Sequence, residues 1–268
     1  MTMKKNDIKT VDNLESQDDY AFGMDWGGDE VSIGDLQNYR SYQYNLVKDW
    51  IGKEIFEIGS GASRSFTKLI IENNKDIKRI LSIEPSVVLL DAFKDKNAYD
   101  FPDYVEFDNK DVFQMSPENT GLFDTAIYIH VLEHIEKDRE AVDYTHQFLK
   151  KGGHLLIEVP ALPLLFSVHD KMLGHYRRYT KKMLKDLVDL DKYEIVKLWY
   201  NDPVGVFGSL VFFKFRKVKL KSKEGVKAVK KQGQFYDKYL IPAQQKIEKY
   251  ITFPFGLSVN MVLRKKMI

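Results

Sequence analysis

Cysteine is missing from the 268-residue sequence. Disulfides, thiolate metal sites and thiol nucleophiles are therefore excluded, and the composition accords with a reducing compartment. Also missing is any run near the roughly 18 apolar residues of a membrane-spanning helix. The longest candidate, Val204 to Phe215, is broken by two glycines and Lys214. The first residues are polar and acidic, without the basic-then-apolar pattern of a secretory signal, so a cytoplasmic protein is expected. Neither sign of charge is in excess: 41 Lys and Arg against 39 Asp and Glu leave a net +2. That is too little for the field that draws nucleic acid, so DNA is not expected as a partner and RNA is not favoured. Internal repeats and low-complexity linkers are absent too.

What remains is an alternation of strand and helix signals. Residues 1–19 read as a polar, flexible tail, and residues 20–52 as an aromatic N-terminal cap with an amphipathic helix over Gln37–Ile51. Apolar strands are predicted at Glu54–Ile58, Arg79–Ile83, Tyr104–Phe107, Phe123–Ile129 and His154–Val159, the last entered through a turn at Lys151-Gly152-Gly153. Helices fall at Arg64–Asn73, through Leu89, Leu90 and Phe93, and from about Lys137 to Leu149. Two late strands, Tyr193–Tyr200 and Ser258–Leu263, flank a mostly helical, basic segment at 201–257. Strand–helix alternation with right-handed crossovers predicts an α/β, Rossmann-like fold. The expectation is one domain over 53–268, built on a mostly parallel seven-stranded sheet with helices on both faces and an insertion before the last strand.

Parallel sheets bind ligands beyond the carboxyl ends of their strands. The first such end is Glu57-Ile58-Gly59-Ser60-Gly61, where glycines permit a tight turn and close approach of a ligand. The second strand ends at Glu84, 23 residues beyond Gly61, near the spacing expected of a carboxylate that accepts from ribose hydroxyls. After the third strand, Asp111 and Val112 are placed to flank an adenine. Arg64 occupies the position where a dinucleotide fingerprint needs a small residue, and no phosphate-cradling Lys-Ser or Lys-Thr loop is present. A nucleoside without phosphates fits better. An acid at Glu57 would oppose phosphates yet suit a ligand that bears a sulfonium and an ammonium.

On these residues the stretch from Glu54 to Leu165 resembles the class I S-adenosylmethionine-dependent methyltransferases. The resemblance rests on Ile55-Phe56-Glu57-Ile58-Gly59-Ser60-Gly61, Ile83-Glu84-Pro85, Phe123-Asp124 leading into Ile129-His130-Val131-Leu132-Glu133-His134-Ile135, and Leu149-Lys150-Lys151-Gly152-Gly153. Ser63 stands where the family pattern often has a third glycine. The resemblance implies S-adenosylmethionine as cofactor and S-adenosylhomocysteine as product. It also implies a cofactor site formed by Glu57, Gly59, Ser60, Gly61, Glu84, Pro85, Asp111, Val112, Ile129 and His130, the last two near the transferred methyl. Asn38-Tyr39-Arg40-Ser41-Tyr42, His169-Asp170, Gly174 to Thr180 and Pro254-Phe255-Gly256-Leu257-Ser258 are similar to a bacterial subgroup associated with lipid-linked or surface-glycan pathways. That implies a glycan or lipid-pathway acceptor; the overall expectation is O-methylation of a small-molecule, sugar or lipid-linked acceptor.

The acceptor side admits three readings. His134 or His175 could serve as general base. His130, Glu133, His134 and His175 could hold a divalent metal that orients a substrate diol, an alternative that is not the favoured one. Its spacing resembles the Glu-x-x-Glu-His motif of metal-dependent RNA ribose 2′-O-methyltransferases, with His130 in place of the first Glu. Glu133 and His134 could instead only orient the following helix. Arg177 and Arg178 either grip an anion bidentately or set the helix start at Thr180. A non-catalytic cofactor-binding protein on the same fold is a further alternative. Finally, the insertion 201–257 is expected to form a substrate lid, and its apolar residues from Phe207 followed by lysines to Lys231 read either as a solvated basic face or as a contact with an anionic membrane surface.

Overall fold

The computed structural model describes residues 36–61, 64–87, 89, 100–210 and 231–267. The predicted tail, the first part of the cap, the predicted helix beyond Leu89 and the basic stretch 211–230 lie outside the described residues. The elements are helix α1 (Gln37–Val47), β1 (Glu54–Ile58), α2 (Ser65–Asn73), β2 (Arg79–Ile83), β3 (Val105–Asp108) and β4 (Phe123–Ile129), then α3 (Asp138–Thr145), β5 (Leu149–Pro160), α4 (Val168–Met172), α5 (Lys181–Asp186), β6 (Tyr193–Asn201), α6 (Pro203–Ser209), α7 (Ile241–Glu248) and β7 (Ser258–Lys265).

One seven-stranded sheet has the order β3-β2-β1-β4-β5-β7-β6. Strands β1 to β5 pair in parallel, and β7 runs antiparallel between β5 and β6. This is the expected Rossmann-like fold. Chain order reverses at β1, with β2 on one side and β4 on the other, so the switch point faces the glycine turn.

Successive strand residues point to opposite faces, and both faces are covered, so the strands read as nearly unbroken apolar runs. Phe56, Leu81, Tyr128, Leu155 and Met261 form one core with Ala141 and Val142 of α3 and Leu184 of α5. Ile55, Ile80, Ile127, Leu156 and Val262 form the other, under Tyr44 and Val47 of α1 and Phe66 and Ile70 of α2. Each such large side chain, removed from water, contributes roughly 1.5–3 kcal/mol.

Three details differ from the sequence reading. The predicted turn at Lys151-Gly152-Gly153 is part of β5: pairing with β4 shifts register between Phe123↔Leu149 and Thr125↔His154, so the extra residues bulge instead of ending the strand. The first helix stops at Val47 and continues as a 3-10 turn over Lys48–Trp50. The helix expected from Lys137 to Leu149 likewise gives way to a 3-10 turn at His146–Phe148.

Helix α1 has no side-chain cap of its own. Its N-terminal amides are satisfied from the far end of the chain, where Asp237 accepts from the Tyr39 N–H at 2.8 Å and from the Asn38 side chain at 3.0 Å. A carboxylate at a helix N-terminus also meets the positive end of the helix dipole. Asp237, which lies within the segment 201–257, therefore ties that segment to the N-terminal helix.

Candidate active site

At the carboxyl end of β1 the chain turns through Gly59, with φ +77°, and Gly61, with φ +62°. The amides of Gly59 and Ser60 both donate to the Ile83 carbonyl, tying the turn to β2. A Cβ on Gly59 would lie 2.5 Å from the Val131 side chain, so glycine is needed there for close packing against the loop after β4. Gly61 is different: among the described residues nothing lies within 4 Å of where its Cβ would be, so a ligand could approach that side of the turn. The buried Ser60 hydroxyl has no hydrogen-bond partner among the described residues.

Glu84, at the end of β2, is buried and clasps this turn. Its Oε2 accepts from the Gly61 amide at 2.9 Å and its Oε1 from the Ser86 amide at 3.0 Å. A carboxylate offers about four lone-pair sites, so two backbone bonds leave capacity for two hydroxyls. Burial pushes the Glu84 carboxyl above its ordinary range, opposed by these amides. Asn109 contributes a support that the sequence did not suggest: its amide donates to the carbonyls of Glu84 and of Pro85, each at 2.9 Å.

Glu57 lies on the sheet face covered by α1 and α2 and accepts from the hydroxyls of Thr67 and, at 2.6 Å, Ser82. Burial raises its carboxyl, while Arg40 and Arg64 contribute opposing charge. Arg64 stacks its guanidinium 3.8 Å from the Phe107 ring centroid. Asp111 uses Oδ1 to cap the 3-10 turn at Val112–Gln114, accepting from the amides of Phe113 and Gln114. Val112, expected to flank an adenine, is 1% exposed and belongs to the core.

Beyond β4, Ile129 is half-buried and His130 adopts φ +56°, an uncommon backbone for a residue with a Cβ. This bend sets the imidazole between two buried carboxylates: Nδ1 is 3.2 Å from Glu133 Oε1 and Nε2 is 3.5 Å from Glu158 Oε1. Burial alone would push the imidazole down, but Glu133 and Glu158 overcome it and raise the pKa to about 9. His130 is thus protonated near neutrality and cannot take up a proton. His134 behaves in the opposite way. Burial pushes it down to about 4, with the neighbouring His175 adding to the effect and Glu133 opposing it.

The His134 and His175 rings meet edge to face, with centroids 4.6 Å apart. His175 Nδ1 lies 3.1 Å from Asp170 Oδ1, and Asp170 also accepts from Arg178 Nε at 2.6 Å and from Ser167. These contacts hold the Asp170 carboxyl well below the usual range against the upward push of burial. Arg177, read as an anion grip, spends its guanidinium internally. It is 2.6 Å from Asp138 Oδ2 and donates to the carbonyls of Ile135 and Glu136. Thr180 is an N-cap, accepting from the Met183 amide.

The structure also assembles a polar layer that sequence reasoning missed. At the carboxyl end of β5, Glu158 accepts from Asn201 at 3.3 Å, and Asn201 accepts from Asn260 at 2.5 Å. Next in the chain, Asp202 has φ +60° and accepts from the Gly205 amide, from Gln244 at 3.1 Å and from the Tyr236 hydroxyl. Its own amide donates to Tyr42 and Glu248, each at 3.0 Å. Tyr39, Tyr42 and Tyr236 are held protonated by burial and by the surrounding carboxylates. Glu158 Oε2, Asp202 Oδ2, Gln244 Oε1 and Asn260 Oδ1 are buried oxygens without a donor among the described residues. The Asn38–Tyr42 and Pro254–Ser258 segments were the available signals, since both border this layer. Gly256 passes so close to Asn201 that a Cβ would lie 2.0 Å from its carbonyl oxygen.

Residues 56–157 match a family model described as a methyltransferase domain. No curated protein matches the chain. Among solved structures, the chain is similar to an S-adenosylmethionine-dependent methyltransferase from Mesorhizobium loti, with 12% identity, TM-score 0.55, and coverage of 87% of this chain and 100% of that one. It is similar to a methyltransferase of that type from Archaeoglobus fulgidus, with 12% identity, TM-score 0.53, and coverage of 92% and 99%. It is also similar to phosphoethanolamine N-methyltransferase 2 from Haemonchus contortus in complex with S-adenosyl-L-methionine, with 14% identity, TM-score 0.52, and coverage of 96% and 59%. At such identities the likeness establishes the fold. The matched segment contains the glycine turn, Glu84, Asp111 and His130, and is similar to a methyltransferase domain.

Proposed function

We propose that the chain transfers the methyl group of S-adenosylmethionine to a hydroxyl of a polyhydroxylated, sugar-like acceptor, free or lipid-linked. The observation that carries the cofactor part is the Glu84 clasp on the glycine turn: a buried carboxylate with acceptor capacity to spare, beside an open Gly61 and an unpartnered Ser60 hydroxyl. These residues fit an adenosine cofactor, with Glu84 accepting from the ribose hydroxyls and Gly61 admitting close approach of the backbone. When bound, the cofactor supplies an electrophilic methyl on a sulfonium, and S-adenosylhomocysteine is left after transfer. Glu57 adds negative potential on the cationic ligand's side.

The acceptor reading is supported by the oxygens of Glu158, Asp202, Gln244 and Asn260 that lack donors among the described residues. A buried acceptor left unpaired costs about 1–3 kcal/mol, and a ligand rich in hydroxyl donors removes that cost. Strain at His130 and Asp202 accords with a binding role for both strand ends. His130, protonated, donates and orients; His134 and His175, on the far side of Glu133, supply lone pairs toward the acceptor side. Exposed Phe207, Phe235, Tyr239 and Tyr250 flank the basic stretch and support delivery of a lipid-linked acceptor at an anionic membrane surface. No helix among the described residues is long and apolar enough to cross a membrane.

The test is calorimetric titration with S-adenosylmethionine and S-adenosylhomocysteine, followed by methyl-label transfer to sugars, sugar nucleotides and lipid-linked sugars. Micromolar cofactor binding and label in a hydroxylated product are expected. Absence of cofactor binding by folded protein overturns the methyltransferase reading, whereas label found only in amines overturns the acceptor reading.

A further inference from the structure

Glu133, His134 and His175 come from two separate segments, the turn after β4 and the loop after α4, yet one potential ligand atom from each lies within 4.8 Å of the others. The two segments are tied by backbone: the Tyr176 amide donates to the Glu133 carbonyl at 2.8 Å, and the Tyr179 hydroxyl donates to the Leu132 carbonyl at 3.1 Å. Glu133 is wholly buried, and only Oε1 is used, by His130; Oε2 has no partner among the described residues. A sealed carboxylate oxygen without a donor is costly unless a cation faces it.

The two imidazoles are set up as metal ligands are. Asp170 is saturated by Arg178, Ser167 and His175 and accepts only, so the proton of the His175 ring sits on Nδ1 and the Nε2 lone pair points away from Asp170. A carboxylate behind a histidine is the usual outer support of a metal-bound imidazole. His134 donates to the Gly174 carbonyl, which orients its ring in the same manner.

We propose that Glu133, His134 and His175 bind one divalent transition-metal ion through a carboxylate oxygen and two imidazole nitrogens. His130 stands outside the set, because Glu133 and Glu158 occupy it. Two nitrogens and one oxygen suit zinc, cobalt, manganese or iron(II) better than calcium or magnesium, whose ligands are oxygens. Zinc-type ions take such ligands at about 2.0–2.2 Å, so the three atoms would draw together around one ion. Three protein ligands leave coordination positions open, where an acceptor hydroxyl would bind. The site goes beyond the methyl-transfer reading and does not depend on it, because its test reads the metal itself.

The chelator-treated protein is titrated with Zn²⁺, Co²⁺ and Mn²⁺ separately, by calorimetry and by the visible absorption of Co²⁺. One equivalent of at least one ion is expected to bind with micromolar or tighter affinity. His175→Ala and Glu133→Gln should each weaken it roughly 100-fold or more, and Asp170→Asn roughly 10–100-fold. His154→Gln, within β5 beside Thr125 near the start of β4, should leave affinity unchanged. Folding of each variant is checked by circular dichroism. Lack of saturable binding of all three ions by folded wild-type protein overturns the proposal, as does tight binding that survives both His175→Ala and Glu133→Gln.

Discussion

His130 and Glu158 meet twice across the ends of β4 and β5. The His130 amide donates to the Glu158 carbonyl at 2.8 Å, and its imidazole Nε2 lies 3.5 Å from the Oε1 of the same residue. The first contact extends the parallel ladder by one bond; the second carries charge from the cofactor side of the sheet into the acid- and tyrosine-rich layer. Glu133 grips the other ring nitrogen, so His130 couples the two halves of the site.

That coupling has a pH signature. The folded pKa of His130 is raised from 6.5 to about 9, so its stabilising contribution is complete below pH 6.5 and is lost as pH rises through 9. Comparing wild type with His130→Gln by urea denaturation, with chelator present, the wild-type excess should fall by roughly 2–3 kcal/mol over that window. Parallel curves for the two proteins would show that the imidazole is not charged in the fold.

Glu84→Ala should raise the dissociation constant for S-adenosylhomocysteine roughly 100- to 1000-fold, because hydrogen bonds to a charged group contribute about 1.5–3 kcal/mol each. Glu84→Gln keeps the shape of the side chain and loses the charge, and is expected to fall between. Calorimetry on variants with wild-type circular dichroism reads this directly; unaltered affinity would move the ribose site elsewhere.

Arg177→Ala is expected to act on stability and not on acceptor binding, since its guanidinium joins Asp138 and two carbonyls within the fold. A loss of about 1–3 kcal/mol in chemical denaturation, with acceptor KM within about twofold of wild type, is the anticipated outcome. A large rise in KM at unchanged stability would instead restore the anion-gripping role.

Two glycines should respond differently to alanine. Gly256→Ala drives a methyl into the Asn201 backbone, whereas Gly61→Ala meets no atom of the described residues and is strained by its φ of +62°. The first should cost at least about 3 kcal/mol and the second about 1–2 kcal/mol, measured by thermal and urea unfolding. Cofactor affinity should reverse the order, because the methyl at Gly61 fills the side of the turn that the ligand needs.

Local chemistry settled much of the architecture in advance. Runs such as Glu54–Ile58 and Phe123–Ile129 carry apolar residues on both faces, as covered parallel strands do, and both appear with the predicted bounds. The Gly59 and Gly61 turn and the acid at Glu84 were legible for the same reason: each depends on neighbours near in sequence or on one parallel pairing. The bulge in β5 was not legible, because its register is set by the distant Phe123 and Thr125. Nor was the pairing of residues across long loops. Asp237 caps a helix some 199 residues away, Asn201 and Asn260 pair under Glu158, and His175 is brought to His134 and Glu133. Composition and periodicity encode how a segment meets solvent and core. Which polar side chains share a buried space, and therefore which are charged, neutral or left without a donor, follows only once β4, β5, β6 and β7 lie side by side and exclude water from between them.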